Sequence, residues 1–516
     1  MMKTVVILNA AFGARYMFEK VFGGRSAYDR ALSWAASVSG STPVLVLAAS
    51  DNAERCKSEA ASSSVPVSVK EKEVWTTADV LDEIASFSEK AETALYAAAD
   101  CPFLDKALSD EILRVHKTYA AEYTFADGYP YGFSPEALDT GAAAIIASLA
   151  RQKNLGDEVV TRDAVMKILK TDINSFEIET VLAPNDRRLY RLSFECSTKA
   201  GYIASRALYD ACGEGKDAAS LSEKAVTLVS VLKTVPAFYN VQISGREEGE
   251  CIYSPYREAY KKTYGEKKPR DMTLAEFRPL VSQMASLSES AVVSLSAWGE
   301  PLLHPDFTDF VKEAASYDGL SLLVETNGLH VTEELCEKVK EASGGKIIWI
   351  VLLDAVSEAT YKKMRGSEGS LSKAHKAVAL LQRAFPDTTY PQFVRTNDNE
   401  AELEAFYRFW KDDKNGGKVI IQKYDWFSGL LPECKPADLS PLERNPCWHL
   451  RRDMTILSDG SVPPCREYVF NNIIGNAFTE SLASIWERMT SYAEKDMKCE
   501  YGEVCGKCDE YYTFNF

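Results

Sequence analysis

The sequence contains no run of eighteen or more apolar residues, so it predicts no membrane-spanning helix. It also lacks an excess of basic residues, because 59 Lys and Arg stand against 75 Asp and Glu, a formal net charge of −16. An acidic surface repels phosphate backbones, which argues against a nucleic-acid partner. The first apolar segment is broken by Asn9 and followed by Arg15 and Lys20, as in a buried strand rather than a signal peptide. We therefore expect a cytoplasmic protein whose thiols stay reduced.

The chain of 516 residues is too long for a single core, and about three domains are expected. Residues 1–210 and 225–435 each alternate short β-branched segments with amphipathic ones, which predicts α/β folds with largely parallel sheets. The polar stretch 211–224 is the expected boundary between them. Residues 436–516 have shorter elements and hold five of the 12 cysteines, so we expect a third, small domain there.

Charged residues follow two predicted strands of the first block. Gly13, Arg15 and Lys20 lie in the loop after the first strand, and Asp100 opens the segment DCPFL at the end of a later one. A glycine-containing loop offers backbone N–H groups to phosphate, and a carboxylate at a sheet edge suits a divalent ion. Together these segments resemble the nucleotidyltransferases, whose sheet is doubly wound. The resemblance implies a bound nucleotide, with Arg15 and Lys20 on phosphate and magnesium at Asp100.

Three polar segments follow successive predicted strands in the second block: WGEP with Gly299, Glu300 and Pro301, then ETNG at 325–328, then LLDA at 352–355. The carboxyl ends of parallel strands face one end of a sheet, where an α/β barrel has its active site. In this order the series resembles the radical S-adenosylmethionine (radical SAM) superfamily, over about residues 235–430. The resemblance implies a partial β/α barrel in which Glu300 pairs with the amino group of S-adenosylmethionine, while Thr326 and Asn327 face the cofactor.

The segment GECIYSPYR, 249–257, lies where that superfamily has its first motif, C-x3-C-x2-C. Cys251 takes the middle position, while Glu247 and Ser254 take the outer two. Three thiolates are needed to hold a four-iron cluster that leaves one iron open. Carboxylate and hydroxyl oxygens are poor substitutes for soft sulfur. The sequence therefore predicts a cluster site that has lost its ligands.

The tail has a cysteine pattern of its own. Cys505 and Cys508 form a C-x2-C turn, a spacing suited to a metal ion or a cluster corner. Together with the earlier segment C-x12-G-x4-C, this turn resembles the SPASM domain, which binds auxiliary iron–sulfur clusters. The resemblance implies one 4Fe–4S cluster, with zinc as the alternative. The expected ligands are Cys447, Cys465, Cys505 and Cys508, with Cys499 as a substitute.

The three blocks in this order resemble the spiro-SPASM family over nearly the whole chain. SPASM-tailed enzymes as a class modify peptides and proteins, so the resemblance implies a peptide or protein partner. Two alternatives remain open. The first block could be a magnesium-dependent nucleotidyltransferase for which the rest serves as a substrate-recognition scaffold. Alternatively, the chain could be a non-enzymatic metal-binding protein that captures a peptide.

Overall fold

The computed structural model of the chain describes residues 4–12, 15–39, 43–265, 268–366, 370–469 and 472–513. The chain divides into two compact units, Met1–Thr234 and Val235–Phe516. The stretch 211–224, expected to be a boundary, contains the end of one helix and most of the next, and it lies in the first unit. A division of the second unit into barrel and tail stays a prediction.

The first unit alternates strands and helices. Its strands are β1 (Thr4–Ala10), β2 (Val44–Ala49), β3 (Val67–Lys72), β4 (Thr93–Ala98), β5 (Tyr123–Asp127), β6 (Glu136–Asp139) and β7 (Ile178–Leu182). Its helices are α1 (Ala27–Ser39), α2 (Ala53–Ala60), α3 (Thr77–Ser88), α4 (Lys106–Thr118), α5 (Thr140–Gln152), α6 (Ala164–Leu169), α7 (Lys199–Cys212), α8 (Ala218–Ala225) and α9 (Val229–Leu232).

These strands form one seven-stranded sheet in the order β3-β2-β1-β4-β6-β5-β7. Neighbours are parallel except where β6 pairs with β4 and β5. Both faces are covered, because Val6 and Leu8 of β1 enter one apolar core while Val5 and Ile7 enter another. That two-sided burial explains why the strand reads as a continuous apolar run. The doubly wound α/β fold expected for this part is confirmed.

The second unit contains a longer parallel series. Its strands are β8 (Phe238–Val241), β9 (Ala291–Ser294), β10 (Leu320–Thr326), β11 (Ile347–Leu352), β12 (Thr389–Arg395), β13 (Ile420–Lys423), β14 (Asp453–Ile456), β15 (Ser461–Val462) and β16 (Gly475–Asn476). Its helices are α10 (Tyr256–Tyr264), α11 (Leu274–Ser288), α12 (Phe307–Ala315), α13 (Glu333–Ser343), α14 (Glu358–Arg365), α15 (Leu371–Ala384), α16 (Leu403–Lys411), α17 (Trp448–Arg452), α18 (Leu482–Met497) and α19 (Glu503–Lys507).

Seven of these strands form a sheet in the order β13-β12-β11-β10-β9-β8-β14, and every neighbouring pair is parallel. This is the parallel half-barrel of a β/α fold, as predicted. Its helices pack on one face in a core that includes Phe277, Phe310 and Trp349. Because the strands are parallel, their carboxyl ends and the loops that follow lie along one edge.

The tail is joined to this half-barrel through its first strand. β14 pairs in parallel with β8, so the sheet ends in a strand that the sequence assigned to the tail. After it come the short antiparallel pair β15–β16 and then α18, which packs against α11. Among the described residues no helix is long and apolar enough to cross a membrane.

Candidate functional site

The loops after β9 and β10 meet at Glu300. Its carboxylate accepts hydrogen bonds from Thr326 Oγ1 (2.7 Å) and from the backbone N–H of Asn327 (2.9 Å). A third bond comes from the N–H of Leu302 at 3.2 Å, in the turn that begins at Pro301. The side chain is 5% exposed, and this burial raises the pKa of Glu300 above its ordinary value. The structure thus brings Glu300, Thr326 and Asn327 together, as the motif series suggested.

The backbone before Glu300 has a shape that suits glycine. Gly299 has φ +105°, and a Cβ there would lie 2.2 Å from the carbonyl oxygen of Ser244. Trp298 has φ +43°, a left-handed conformation that a bulky residue rarely adopts. It stands where the radical SAM pattern has its first glycine. Its ring packs against a small apolar group that includes Tyr260 and Phe427.

Two adjoining cavities open at the carboxyl edge of the half-barrel. The larger, about 180 Å³, is lined by Trp298, Lys423 and Arg466 among others. The smaller, about 100 Å³, reaches Glu300 and Asn327. The residues that line both are Glu247, Cys251, Ser296, Gly299, Glu325, Leu352 and Arg365. The loop of the expected first motif therefore faces the same space as the expected cofactor residues.

Within that loop the three motif positions are close together. Ser254 and Glu247 are joined by a side-chain hydrogen bond, and Glu247 is an electrostatic neighbour of Cys251. Glu247 Oε2 is buried and has no hydrogen-bond partner among the residues the structure describes. Burial raises the pKa of the Cys251 thiol to about 11. The loop offers one thiol where the motif of the superfamily has three.

A buried ion pair lies beside Cys251. Arg365 Nε donates to Asp354 Oδ2 at 2.9 Å, and the Tyr253 hydroxyl donates to the same oxygen at 2.6 Å. Asp354 is fully buried and Arg365 is 8% exposed. The backbone carbonyl of Arg365 also accepts from the N–H of Glu250 at 3.1 Å. The end of α14 thus holds the loop in place through charge and backbone contacts.

The cysteines of the tail are arranged differently. Cys447 and Cys465 are buried, Cys505 and Cys508 are partly buried, and Cys499 is exposed. Each of the first four is an electrostatic neighbour of at least two of the others. Burial raises the pKa of Cys447 to about 12 and moves the other three in the same direction. Four thiols therefore converge, whereas Cys499 lies by Tyr501.

Backbone and side-chain bonds fix these thiols. The N–H of Cys447 donates to Asp496 Oδ2 at 2.7 Å, and the N–H of Glu510 donates to Cys508 Sγ at 3.3 Å. His449 makes a 2.6 Å hydrogen bond to Asp453, so its ring is engaged by a carboxylate.

In the first unit, Asp100 lies just beyond β4 and is 2% exposed. Its carboxylate accepts from Arg162 at 3.1 and 2.7 Å and from the N–H of Cys196 at 3.1 Å. Arg15 and Lys20 are exposed, and Gly13 lies outside the described residues. Magnesium at Asp100 and nucleotide binding stay predictions, and a metal there would have to displace the guanidinium of Arg162.

Comparison with known proteins identifies the second unit. The model of the radical SAM superfamily matches residues 247–409, and that of the SPASM iron–sulfur cluster-binding domain matches residues 447–509. An uncharacterised protein of Treponema pallidum (strain Nichols) is 40% identical over 364 residues, 68% of this chain and 98% of the relative.

The second unit contains a radical SAM domain followed by a SPASM domain.

Two solved structures are each similar to a part of this radical SAM/SPASM protein. Native anSMEcpe with bound AdoMet and Cp18Cys peptide is 15% identical, and the match covers 52% of this chain and 88% of that one, with a TM-score of 0.39. A cytidylyltransferase from Leptospira borgpetersenii serovar Hardjo-bovis (strain JB197) is 14% identical over 43% of this chain and 94% of that one, with a TM-score of 0.36.

The donor sets of the two expected cluster sites differ in how well they fit an iron–sulfur cluster. In the tail, two buried and two partly buried thiols suit a cluster, because a bound metal ionises thiols that would otherwise stay neutral. In the half-barrel, Glu247, Cys251 and Ser254 do not suit the three-thiolate cluster of the superfamily. The superfamily implies a site for S-adenosylmethionine. The strand-end loops that would form it, those of Glu300 and Asn327, are present.

Several residues of the site were missed by sequence reasoning. Arg365 and Tyr253 line the cavities, and Arg162 holds Asp100. Glu325 lines them too; its segment ETNG was singled out, but no role was assigned to this residue. The sequence offers one signal, since Glu325 stands where the radical SAM pattern has serine. The others come from turns and helix ends with no recognisable spacing.

Proposed function

We propose that this radical SAM/SPASM-type iron–sulfur protein binds a peptide or protein at the carboxyl edge of its half-barrel, carries one four-iron cluster in its tail, and has lost the cluster that cleaves S-adenosylmethionine reductively. Cys447, Cys465, Cys505 and Cys508 would hold the tail cluster. When bound, that cluster supplies one-electron redox chemistry.

The composition of the loop at 247–254 carries this proposal. A cluster that chelates S-adenosylmethionine needs three thiolates, and Cys251 is the single thiol at this position. The position of the loop around Cys251 is also supported by the Arg365–Asp354 ion pair and by the backbone of Arg365, which need no metal. The half-barrel is therefore interpreted as a binding scaffold.

The cavities support a polar partner. The larger one presents the cations Lys423 and Arg466 together with the carboxylates Glu325 and Asp425. Trp298 and Phe427 add aromatic surface on the same wall. Mixed charges and aromatic faces are what a peptide with polar side chains requires. The SPASM domain supports the same partner class.

Iron and sulfide content after anaerobic purification tests the proposal on three proteins: the wild type, Cys251→Ala and Cys465→Ala. We expect about four irons per chain in the wild type and in Cys251→Ala, and far less in Cys465→Ala, because only the last variant removes a cluster ligand. About eight irons, falling by half in Cys251→Ala, would overturn it. If the analysis finds zinc in place of iron, the tail binds a structural zinc ion and not a cluster.

A second measurement addresses the chemistry. Reductive cleavage of S-adenosylmethionine releases methionine, so methionine is measured after adding a strong reductant under anaerobic conditions. We expect binding of S-adenosylmethionine without release. Release that is lost in Cys251→Ala would show a working cluster in the loop.

A further inference from the structure

A group of buried carboxylates lies between the last strand of the half-barrel and the cysteine turn of the tail. We name it the carboxylate cluster, and its members are Asp425, Glu467, Asp509 and Glu510. Ligand oxygens of Asp425, Asp509 and Glu510 all lie within 4.8 Å of one another. The four side chains are between 3% and 8% exposed. Carboxylates this close and this buried repel one another, so positive charge has to hold them together.

Some of that positive charge comes from neighbouring side chains. The cations that face the carboxylate cluster are Lys423, Lys435 and Arg466. Asp509 Oδ2 lies 3.0 Å from both lysine ammonium groups. Asp425 Oδ2 lies 2.8 Å from the guanidinium of Arg466. Three cations thus face four carboxylates.

Glu467 provides a separate observation. Both of its carboxylate oxygens are buried and have no hydrogen-bond partner among the residues that the structure describes. The nearest ion-pair contact runs from Arg466 Nε to Oε1 at 3.5 Å, and the nearest carboxylates are those of Asp425 and Glu510. Asp509 Oδ1 is buried without a hydrogen-bond partner too. Such oxygens are costly to bury unless a cation coordinates them or a proton neutralises them.

We propose that the carboxylate cluster is a metal site for a divalent cation that prefers oxygen ligands, of the class of Mn²⁺ and Mg²⁺. Such hard cations bind carboxylates in preference to thiolates, which separates this site from the neighbouring cysteines. Asp425 follows β13 at the carboxyl edge of the parallel sheet, where α/β folds place their ligands. The ion would join that edge to the turn after Cys508.

The ammonium of Lys423 now contacts Asp509 and Glu510, so it competes with a metal for their oxygens. Lys423 also lines the larger cavity, so its side chain has space to turn away from the carboxylates. The site therefore predicts that removing this ammonium strengthens metal binding instead of weakening it.

Mn²⁺ is titrated into the anaerobically purified full chain, and free Mn²⁺ is followed by electron paramagnetic resonance. We expect about one ion per chain, with affinity at least about tenfold weaker in Glu467→Gln and Asp509→Asn. The matched control is Asp387→Asn, since that side chain is 93% exposed, and it should bind as the wild type does. Iron content is measured in the same samples, so that loss of the tail cluster is recognised.

Lys423→Met keeps the proposal falsifiable where a carboxylate variant fails to fold. We expect this variant to bind Mn²⁺ more tightly than the wild type and to show a larger Mn²⁺-dependent rise in unfolding temperature. Three results would overturn the metal site. These are no Mn²⁺ uptake by the wild type, equal uptake in Glu467→Gln, and a destabilised Lys423→Met that Mn²⁺ does not restore.

Discussion

The loop at 247–254 and the tail both present cysteine, yet they surround it in opposite ways. Cys251 is a single thiol with a carboxylate and a hydroxyl at the other motif positions, and a complete ion pair lies next to it. In the tail, the thiols of Cys447, Cys465 and Cys508 are electrostatic neighbours, and Cys505 neighbours the first two. The first arrangement offers a metal one thiol, whereas the second offers four.

The loop at 247–254 is held by backbone contacts of its own. It is tied to Arg365 and Met364 through the N–H groups of Glu250 and Ile252. Under the proposed function, these contacts keep the loop in place without a cluster. The tail has ion pairs beside its thiols as well, Arg444–Asp496 next to Cys447 and Arg466–Asp425 after Cys465, so the two regions differ in their number of thiols and not in the presence of internal ion pairs.

The difference between the loop at 247–254 and the tail is tested most directly by placing cysteine at the other two motif positions of the loop. In Glu247→Cys/Ser254→Cys, Cys251 gains two partners at positions that already contact each other. We expect iron to rise from about four to about eight per chain after anaerobic reconstitution. Glu247→Ala/Ser254→Ala is the matched control and should stay near four.

An unchanged iron content in the restored variant would mean that the loop has changed beyond these three residues. Arg365 and Asp354 would then be the first candidates, because both are electrostatic neighbours of Cys251.

The ion pair beside Cys251 is expected to have the next largest effect. Arg365→Met leaves the carboxylate of Asp354 fully buried without its counter-charge, and breaking such a pair costs about 3–5 kcal/mol. The control is Arg408→Met, whose partner Glu404 is 76% exposed and whose loss should cost about 1 kcal/mol or less. Urea unfolding measures both, and equal small losses would contradict a supporting role for the buried pair.

The fold was predictable where the chain repeats a simple pattern. Continuous apolar runs such as 4–8 and 347–352 mark strands buried on both faces, and polar residues directly after them mark one edge of a sheet. Glu300, Thr326 and Asn327 could be grouped on that basis alone. β14 was harder, because its four residues form no long apolar run and pair with β8 from far away in the sequence.

Contacts between distant charged residues could not be predicted. Tyr253 and Asp354 are separated by 101 positions, and Arg162 and Asp100 by 62. Neither pair has a spacing that a helix or strand period would reveal, since each is created by the way the strands are ordered. Magnesium at Asp100 was inferred from one strand end, whereas the guanidinium that contacts it comes from a turn before α6.

The smallest effect that we predict is the dependence of stability on pH that comes from Cys251. The pKa of the Cys251 thiol is about 11 in the folded chain, above the value of about 8.5 for an unfolded thiol. Below the pKa of the unfolded thiol, Cys251 is neutral in both the folded and the unfolded state, and its full contribution to the free energy of unfolding is present. As the pH rises from about 9 to about 11, the unfolded state ionises first, so stability falls by at most about 1.4 kcal/mol per pH unit.

Unfolding measured against pH for wild type and Cys251→Ala isolates this contribution as their difference. At pH 9, alkylation of Cys251 should be about a hundredfold slower than that of an ordinary thiol, because a raised pKa leaves less thiolate, and the difference should shrink to about twofold at pH 11. The Cys251→Ala variant should lose this part of the alkaline decline. If wild type and variant decline in parallel, Cys251 is ionised at a lower pH, and an ionised thiol beside Arg365 would be a competent metal ligand.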